Sequence, residues 1–372
     1  MAKRDFCITL LPGDGVGPEI TEQGRKALAA AAQRFGFDLR FQQGYFGNTA
    51  IEKYGSSFPA ETLALCQASD AILTGATGGV TGATAYKPMD PKGGKRGLHK
   101  ALGLTVNFRP ARLLPSLHAC SAIKPALIAS GVDMVIVRDI SAGLWMGTPR
   151  GLTKTARGRS AVNTLKYKES EVARIMRASF RLAATRRKRL DVVAQDNGLE
   201  TSQLWRQVAM EMAKEYPTVE VEHHYPDAFG RLLLIKPGDF DVVVVDHMFL
   251  AGVFNDQCGP IVGSLGMIPS ADLRVSASGK ASGCFGFYEP AHGSVPHRAG
   301  KNQVNPLATV LAAALLLRYS LRQEKAASVV ERAVDAVTLQ FRTYDIAEPG
   351  TTLVGTAEMG DAVVRAIADI KA

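Results

Sequence analysis

Three polar side chains stand together in LDVVAQDNGLETSQLWR, residues 190–206: Gln195, Asp196 and Asn197. The apolar, β-branched LDVVA before them predicts a buried strand. LETSQLWRQVAMEMAKEY after them has helical spacing, with Leu199, Leu204, Val208 and Met212 near one face. The triplet thus falls at the carboxyl end of a strand, where open α/β sheets bind ligands. A proton-moving group is expected there, yet its first member is an amide, which leaves Asp196 as the candidate base. Arg109, Arg112, Arg138 and Arg150 fall near predicted strand ends and turns, which suits an anionic small substrate.

A second chemically rich stretch is YEPAHGSVPHRAGKNQVNP, residues 288–306. It gathers Glu289, His292, Gly293, Ser294, His297, Arg298, Lys301 and Asn305 into a Gly- and Pro-containing loop before a helix. Such a loop reads as a binding segment, and its amides, serine and cations suit phosphate. LLPGDGVGPEI, residues 10–20, has a G-x-G-x-G pattern rather than the dinucleotide G-x-G-x-x-G. It is compatible with either a tight strand-to-helix turn, with Glu19 in the first turn, or a ligand-facing loop.

The elements that must position these residues alternate along the chain. FCITLL, DLRFQQGY, DAILTGA, VDMVIVRDI, LDVVA, VEVEHHY and FDVVVVD predict strands. Helical patterns fall between them and fill the tail from Val304 onward. Alternation of this kind predicts a mainly parallel α/β architecture. A length of 372 residues suggests two domains, and no linker or repeat marks a boundary, so a discontinuous arrangement is expected.

Composition narrows the function classes. MAKRDFCITLLPGDG breaks too early for a signal peptide, and LATVLAAALLL is too short to span a bilayer, which predicts a soluble cytoplasmic protein with no membrane partner. Five scattered cysteines without a CxxC fit reduced thiols in a core. The net charge of +9 raises the question of nucleic acid. The densest basic run, TRRKR at 185–189, closes an amphipathic helix and reads as a solvated helix end, so no nucleic-acid partner is expected.

LLPGDGVGPE, VNFRPAR, VRDISAGLWMGTPRG, NGLETSQLWR, GSLGMIPSADL and YEPAHGSVPHRAGKNQVNP together resemble the isopropylmalate/isocitrate dehydrogenases, in order over nearly the whole chain. The resemblance implies an isopropylmalate dehydrogenase-like α/β fold, with two domains around a central cleft. Residues 1–107 plus 262–372 would form the cofactor domain and 108–261 the substrate and dimerisation domain. It also implies a homodimer, or a hetero-oligomer with an intact relative, that uses NAD or NADP and a divalent metal. In such a site hydride leaves a hydroxyl-bearing carbon, arginines hold carboxylates, and a lysine and a tyrosine move protons.

Residue by residue, the resemblance carries Arg109 and Arg138 over as carboxylate clamps, while the third clamp position is His99, which lacks the guanidinium fork. The family's tyrosine position is Trp145, and its lysine position is Gln195. Among its metal ligands Asp227 is kept, while Ala251 and Asn255 replace the other two, with Asp256 one residue too late to substitute. Such a set is expected to hold no divalent metal. His223, His224 and His247 are an alternative metal set, read mainly as surface or hydrogen-bonded histidines. In the cofactor loop His297 stands where NAD users carry an aspartate, and Arg298 follows, which tilts the expectation toward NADP.

Loss of an acid–base group costs about 10²–10⁴ in rate, so ordinary metal-assisted decarboxylation is not expected. The first reading is a divergent NAD(P)-dependent oxidoreductase acting on an anionic molecule, with Gln195, Trp145, Asp227, Arg109 and Arg138 lining its pocket. A catalytically silent regulatory or binding subunit is the second, and a non-redox lyase or isomerase in the same cleft is the third.

Overall fold

The protein is described by a computed structural model covering residues 5–78 and 94–370. Its first twelve strands in chain order are β1 (Asp5–Leu11), β2 (Asp38–Gln43), β3 (Ala71–Thr74), β4 (Val106–Arg112), β5 (Asp133–Asp139), β6 (Gly151–Thr155), β7 (Gly158–Val162), β8 (Arg189–Val193), β9 (Glu220–His224), β10 (Val242–Val245), β11 (Pro269–Leu273) and β12 (Gly286–Pro290). Ten of them make one sheet in the order β2-β1-β3-β12-β11-β4-β5-β10-β8-β9.

Both flanks of this sheet are parallel, as the strand–helix alternation requires. The centre is not: β11 runs antiparallel to both β12 and β4, and β4 antiparallel to β5. Strands from the two chain ends (β1, β2, β3, β11, β12) form one flank, and strands from the middle (β5, β8, β9, β10) form the other. Every residue of AILT in β3 and VVVV in β10 is buried, the pattern of a sheet covered on both faces.

Helices fill both covers. Leu307–Tyr319, apolar nearly all round, buries ten residues, from Leu307 to Leu317; Gly17–Phe35 packs against it, and Thr356–Asp369 packs in turn against Gly17–Phe35. Helix Glu200–Ala213 follows the predicted strand at β8, but its buried face centres on Trp205, Val208, Ala209 and Met212. Leu199, expected on that face, is instead the N-cap residue and is exposed, because the helix starts one residue later. None of the helices among the described residues is long and apolar enough to cross a membrane.

The basic run at the end of helix Glu169–Thr185 departs from the solvated helix end expected of it. Arg186 Nε donates to Asp241 Oδ1 at 2.7 Å and its guanidinium also pairs with Asp133. The Arg187 amide donates to Asp241 Oδ2 at 2.8 Å, and Arg189 forks onto Asp191 at 3.0 and 2.9 Å. Asp241, just before β10, and Asp191, within β8, are wholly buried, so these cations neutralise buried carboxylates instead of offering a free basic patch. Two further features escape the sequence patterns. Strands β6 and β7 form a hairpin exposed along its whole length.

A tight turn after β5 presents the short helix Gly143–Met146. Asp139 accepts from Ser141 Oγ at 2.8 Å and from the Ala142 amide at 2.7 Å. Gly143 adopts φ +58° with the Tyr167 hydroxyl 2.2 Å from where a Cβ would stand, so only glycine fits. Burial pushes the Asp139 carboxyl up to about 6, against the hydrogen bonds of Ser141 and Ala142 and the charge of Arg174.

Trp205→Ala, which empties a fully buried indole site, is expected to lower unfolding stability by about 3–5 kcal/mol in urea titrations. Asp139 makes a pH-dependent contribution of fixed sign. Between the ordinary carboxyl value of 3.8 and about 6 the unfolded chain ionises here while the folded chain stays protonated, so this group's contribution falls as pH rises through that window. Urea midpoints across the same window are expected to show a shallower decline in Asp139→Asn than in the parent.

Candidate functional site

Register alone brings a set of polar side chains onto one face at the centre of the sheet. Asp272 of β11 pairs with Asn107 of β4, and Asn107 pairs with Arg138 of β5. Two residues along from these, on the same face, stand Ser270, which pairs with Glu289 of β12, and Arg109. All six are buried.

A continuous hydrogen-bond chain runs across this face. Arg138 Nε donates to Asn107 Oδ1 at 2.8 Å. The Asn107 amide donates to Asp272 Oδ1 at 2.5 Å and to Ser270 Oγ at 2.8 Å. Asp272 Oδ2 meets His99 Nε2 at 2.9 Å, and Trp145 Nε1 donates to His99 Nδ1 at 3.2 Å. Lys95, four residues before His99 on helix Gly94–Leu102, pairs with Glu289 and lies 3.6 Å from Asp272. Burial would raise the Asp272 carboxyl, but Lys95 and His99 outweigh it and hold the group well below the usual carboxylate range.

The two predicted clamps are here, and they are under-partnered. Among the described residues Arg109 makes no hydrogen bond or ion pair, and its Nε is buried with no acceptor. Among the described residues Arg138 bonds only to Asn107. Burial, and then repulsion from Arg109, bring its guanidinium down to about 9. A pair of desolvated cations with spare N–H groups can hold an anion, and their planar forks match the geometry of a carboxylate. Of the other two arginines, Arg112 lies on the opposite face and pairs with Asp335, while Arg150 donates to the Trp145 carbonyl at 2.6 Å.

Gln195 keeps to its own loop, where its amide donates to Asn197 Oδ1 at 2.5 Å. Asp196 is committed to an ion pair with Arg206, which leaves it a poor base. Beside them lies Asp246 at the end of β10, 5% exposed, accepting from Ser202 and raised by burial. Asp227 is exposed at the start of helix Pro226–Ile235, its Oδ1 accepting from the Ala228 amide at 2.7 Å. Helix Met248–Val262 carries Ala251 and Asn255, both buried, and passes Gly252 over Arg138. The Asn255 Oδ1 is buried without a partner.

Each of the three alternative histidines has a local environment of its own. His247 caps helix Met248–Val262 by accepting from the Phe249 and Leu250 amides, and burial lowers half-buried His223. His224 Nε2 meets Asp191 Oδ1 at 2.8 Å, and with Glu222 these form a compact acidic cluster. Arg189 already bonds both carboxylates, so a guanidinium supplies the positive charge that a metal would bring.

The loop of residues 288–306 packs against the first glycine-rich turn. A Cβ on Gly15 would lie 2.1 Å from the Ser294 carbonyl, which also accepts from the Val16 amide at 2.9 Å. That close approach explains this glycine. Glu19 reaches across to the amides of Gly300 and Asn302. His292 Nδ1 donates to the Gly293 carbonyl at 2.9 Å, which leaves its buried Nε2 as an unfilled acceptor beside the open surface over Gly293. The Arg298 guanidinium stacks 3.8 Å from the centre of the Tyr344 ring, with exposed His297 next to it. Ser294 and Asn305 are turned inward: Ser294 bonds Gly78, and Asn305 bonds Asp345 and accepts from the Leu307 amide where helix Leu307–Tyr319 begins. Glu289 belongs to the sheet face with Lys95 and not to this loop.

Sequence spacing could have found Lys95, four residues from His99, and the alternate polar positions 107/109 and 270/272 in β4 and β11. Tyr344 had no such signal, because it comes from a turn 46 positions beyond Arg298. A cavity of about 610 Å³ lies behind the site, on the opposite sheet face between helices Glu169–Thr185 and Leu307–Tyr319. Its Arg186 and Arg318 are fully paired with carboxylates, so it offers no comparable anion site.

Comparisons agree with this architecture. Residues 7–363 match the family described as Isocitrate/isopropylmalate dehydrogenase. The 3-isopropylmalate dehydrogenase of Gloeobacter violaceus is 45% identical over 363 residues, 97% of this chain and 98% of that protein. That of Hahella chejuensis is 45% identical over 371 residues, 99% of this chain and all of the relative. The isocitrate dehydrogenase structure from Methylococcus capsulatus superposes with a TM-score of 0.82 at 29% identity, covering 97% of this chain and 99% of that one. The chain belongs to the isocitrate/isopropylmalate dehydrogenase family.

Proposed function

We infer that the protein is an NAD(P)-dependent oxidoreductase that oxidises the hydroxyl-bearing carbon of a small carboxylate, of the malate type. One observation carries this reading: Arg109 and Arg138 are buried together on the sheet face, and among the described residues no carboxylate bonds to either. Two such cations are costly to hold unless an anion completes the site. The relatives named 3-isopropylmalate dehydrogenase support the substrate class.

The nucleotide fits the loop of residues 292–298. The unfilled His292 Nε2 accepts an N–H, which a nucleotide base provides, and the surface over Gly293 leaves room for close approach. Arg298, stacked on Tyr344, places positive charge, and His297 a ring N–H, where they suit a 2′-phosphate, so NADP is preferred over NAD. When bound, the nicotinamide supplies the hydride acceptor; the chain's part is to bind, orient and manage the proton.

The corner of Asp227, Ala251 and Asn255 does not fit a divalent cation: one exposed carboxylate, a methyl group and an amide supply too little of the hard-oxygen set. We therefore route no step through a metal and read the chain as a divergent member whose reaction stops short of metal-assisted decarboxylation. Residues 1–107 with 262–372, and residues 108–261, are taken as two domains flanking the cleft. A homodimer fits the exposed apolar residues Phe249 and Val253 on helix Met248–Val262, with Leu234 and Ile235 on the helix before it.

Calorimetric titration of the full chain tests the nucleotide claim. NADP⁺ is expected to bind more tightly than NAD⁺, and Arg298→Ala to weaken NADP⁺ by about tenfold or more while changing NAD⁺ little. Heat from neither nucleotide overturns the oxidoreductase reading.

A further inference from the structure

His99 carries a geometry that a carboxylate clamp does not need. Its ring is 1% exposed and both nitrogens are engaged. Trp145 Nε1 can only donate, so Nδ1 must be the unprotonated acceptor, and Nε2 carries the proton toward Asp272. That is the arrangement of a neutral imidazole held by a carboxylate, with one lone pair left for chemistry. The Asp272 carboxylate is wholly buried and also faces Lys95 and Asn107, so it is fixed in place and ionised. Asn107 links it in turn to the Arg138 guanidinium. His99 is thus joined to the Arg138 guanidinium through Asp272 and Asn107, and its Nδ1 lone pair is covered by a half-buried indole. That indole rests edge-on against Phe249 on a four-residue helix held by the Asp139 turn.

We propose that His99, oriented by Asp272 and capped by Trp145, is the general base of this site: Nδ1 takes the substrate's hydroxyl proton once Trp145 moves aside. The inference rests on the oxidoreductase reading. In the step, the O–H bond breaks and its proton forms a bond to Nδ1. The hydroxyl's electron pair closes the C=O double bond, and the pair of the C–H bond leaves as hydride to the oxidised nicotinamide. The resulting imidazolium is balanced by Asp272 across the Nε2 hydrogen bond. This assignment gives the site a proton acceptor without Gln195, and without Asp196, which Arg206 occupies. Asp272 and Trp145 are positioning residues: one sets the tautomer, the other covers the lone pair.

Two measurements on the full chain test it. Long-range ¹H–¹⁵N spectra of the free protein are expected to show His99 with Nδ1 unprotonated and Nε2 protonated; a proton on Nδ1 overturns the proposal whatever the turnover. NADPH formation is then followed with NADP⁺ and 3-isopropylmalate, isocitrate or malate, with chelator present. His99→Gln keeps an amide N–H for Asp272 but has no base, and is expected to lose about 10²–10⁴ in kcat with KM little changed. His99→Ala is expected to regain turnover on adding free imidazole. A kcat that survives His99→Gln overturns this inference alone. A parent protein inert with every substrate overturns the oxidoreductase reading and takes the inference with it.

Discussion

Two guanidinium groups, buried at the centre of a ten-stranded sheet and bonded to no carboxylate among the described residues, set the terms for everything around them. Charge in such a place is expensive, and the fold supplies only indirect compensation. Asn107 accepts from Arg138 and passes the connection to Asp272, which is itself shared with His99 and close to Lys95. Arg109 receives nothing among the described residues. The net positive charge of the chain is thus not a diffuse property. Arg186 and Arg189 are neutralised by the buried Asp241 and Asp191, while among the described residues Arg109 has no such partner.

The antiparallel centre of the sheet makes this cluster. Parallel strands point their carboxyl ends at one edge, where loops build ligand sites. Reversing β11 and β4 against their neighbours brings mid-strand side chains of both chain halves opposite one another instead, so Asp272, Asn107 and Arg138 align by register. The catalytic chemistry proposed for His99 depends on that alignment, since Asp272 is fixed from three sides.

Much of this was legible before any coordinates. Alternating strands and helices gave the α/β class, and ordered motifs gave the family. Arg109, Arg138 and the loop around His292 were identified by residue type and setting. The partners were not legible. Asp272 lies 173 residues from His99, and Tyr344 reaches Arg298 from a distant turn, so only the folded chain shows the pairs. The basic run at 185–189 misled for a related reason: Arg186 and Arg187 look free in one dimension because Asp241, which takes them, lies 55 and 54 residues on, while Arg189 folds back onto Asp191 of its own strand. His99 and Trp145, read singly as a weakened clamp and a lost acid, acquire meaning only as neighbours.

The central claim is that Arg109 is held for an anion at the expense of stability. Thermal unfolding of Arg109→Met, free and with added 3-isopropylmalate, tests it most directly. The account predicts that the free variant unfolds at a higher temperature than the parent, because a buried unpaired charge is gone, and that the ligand-induced rise seen in the parent disappears. A variant less stable than the parent, with its ligand-induced rise intact, would contradict the account.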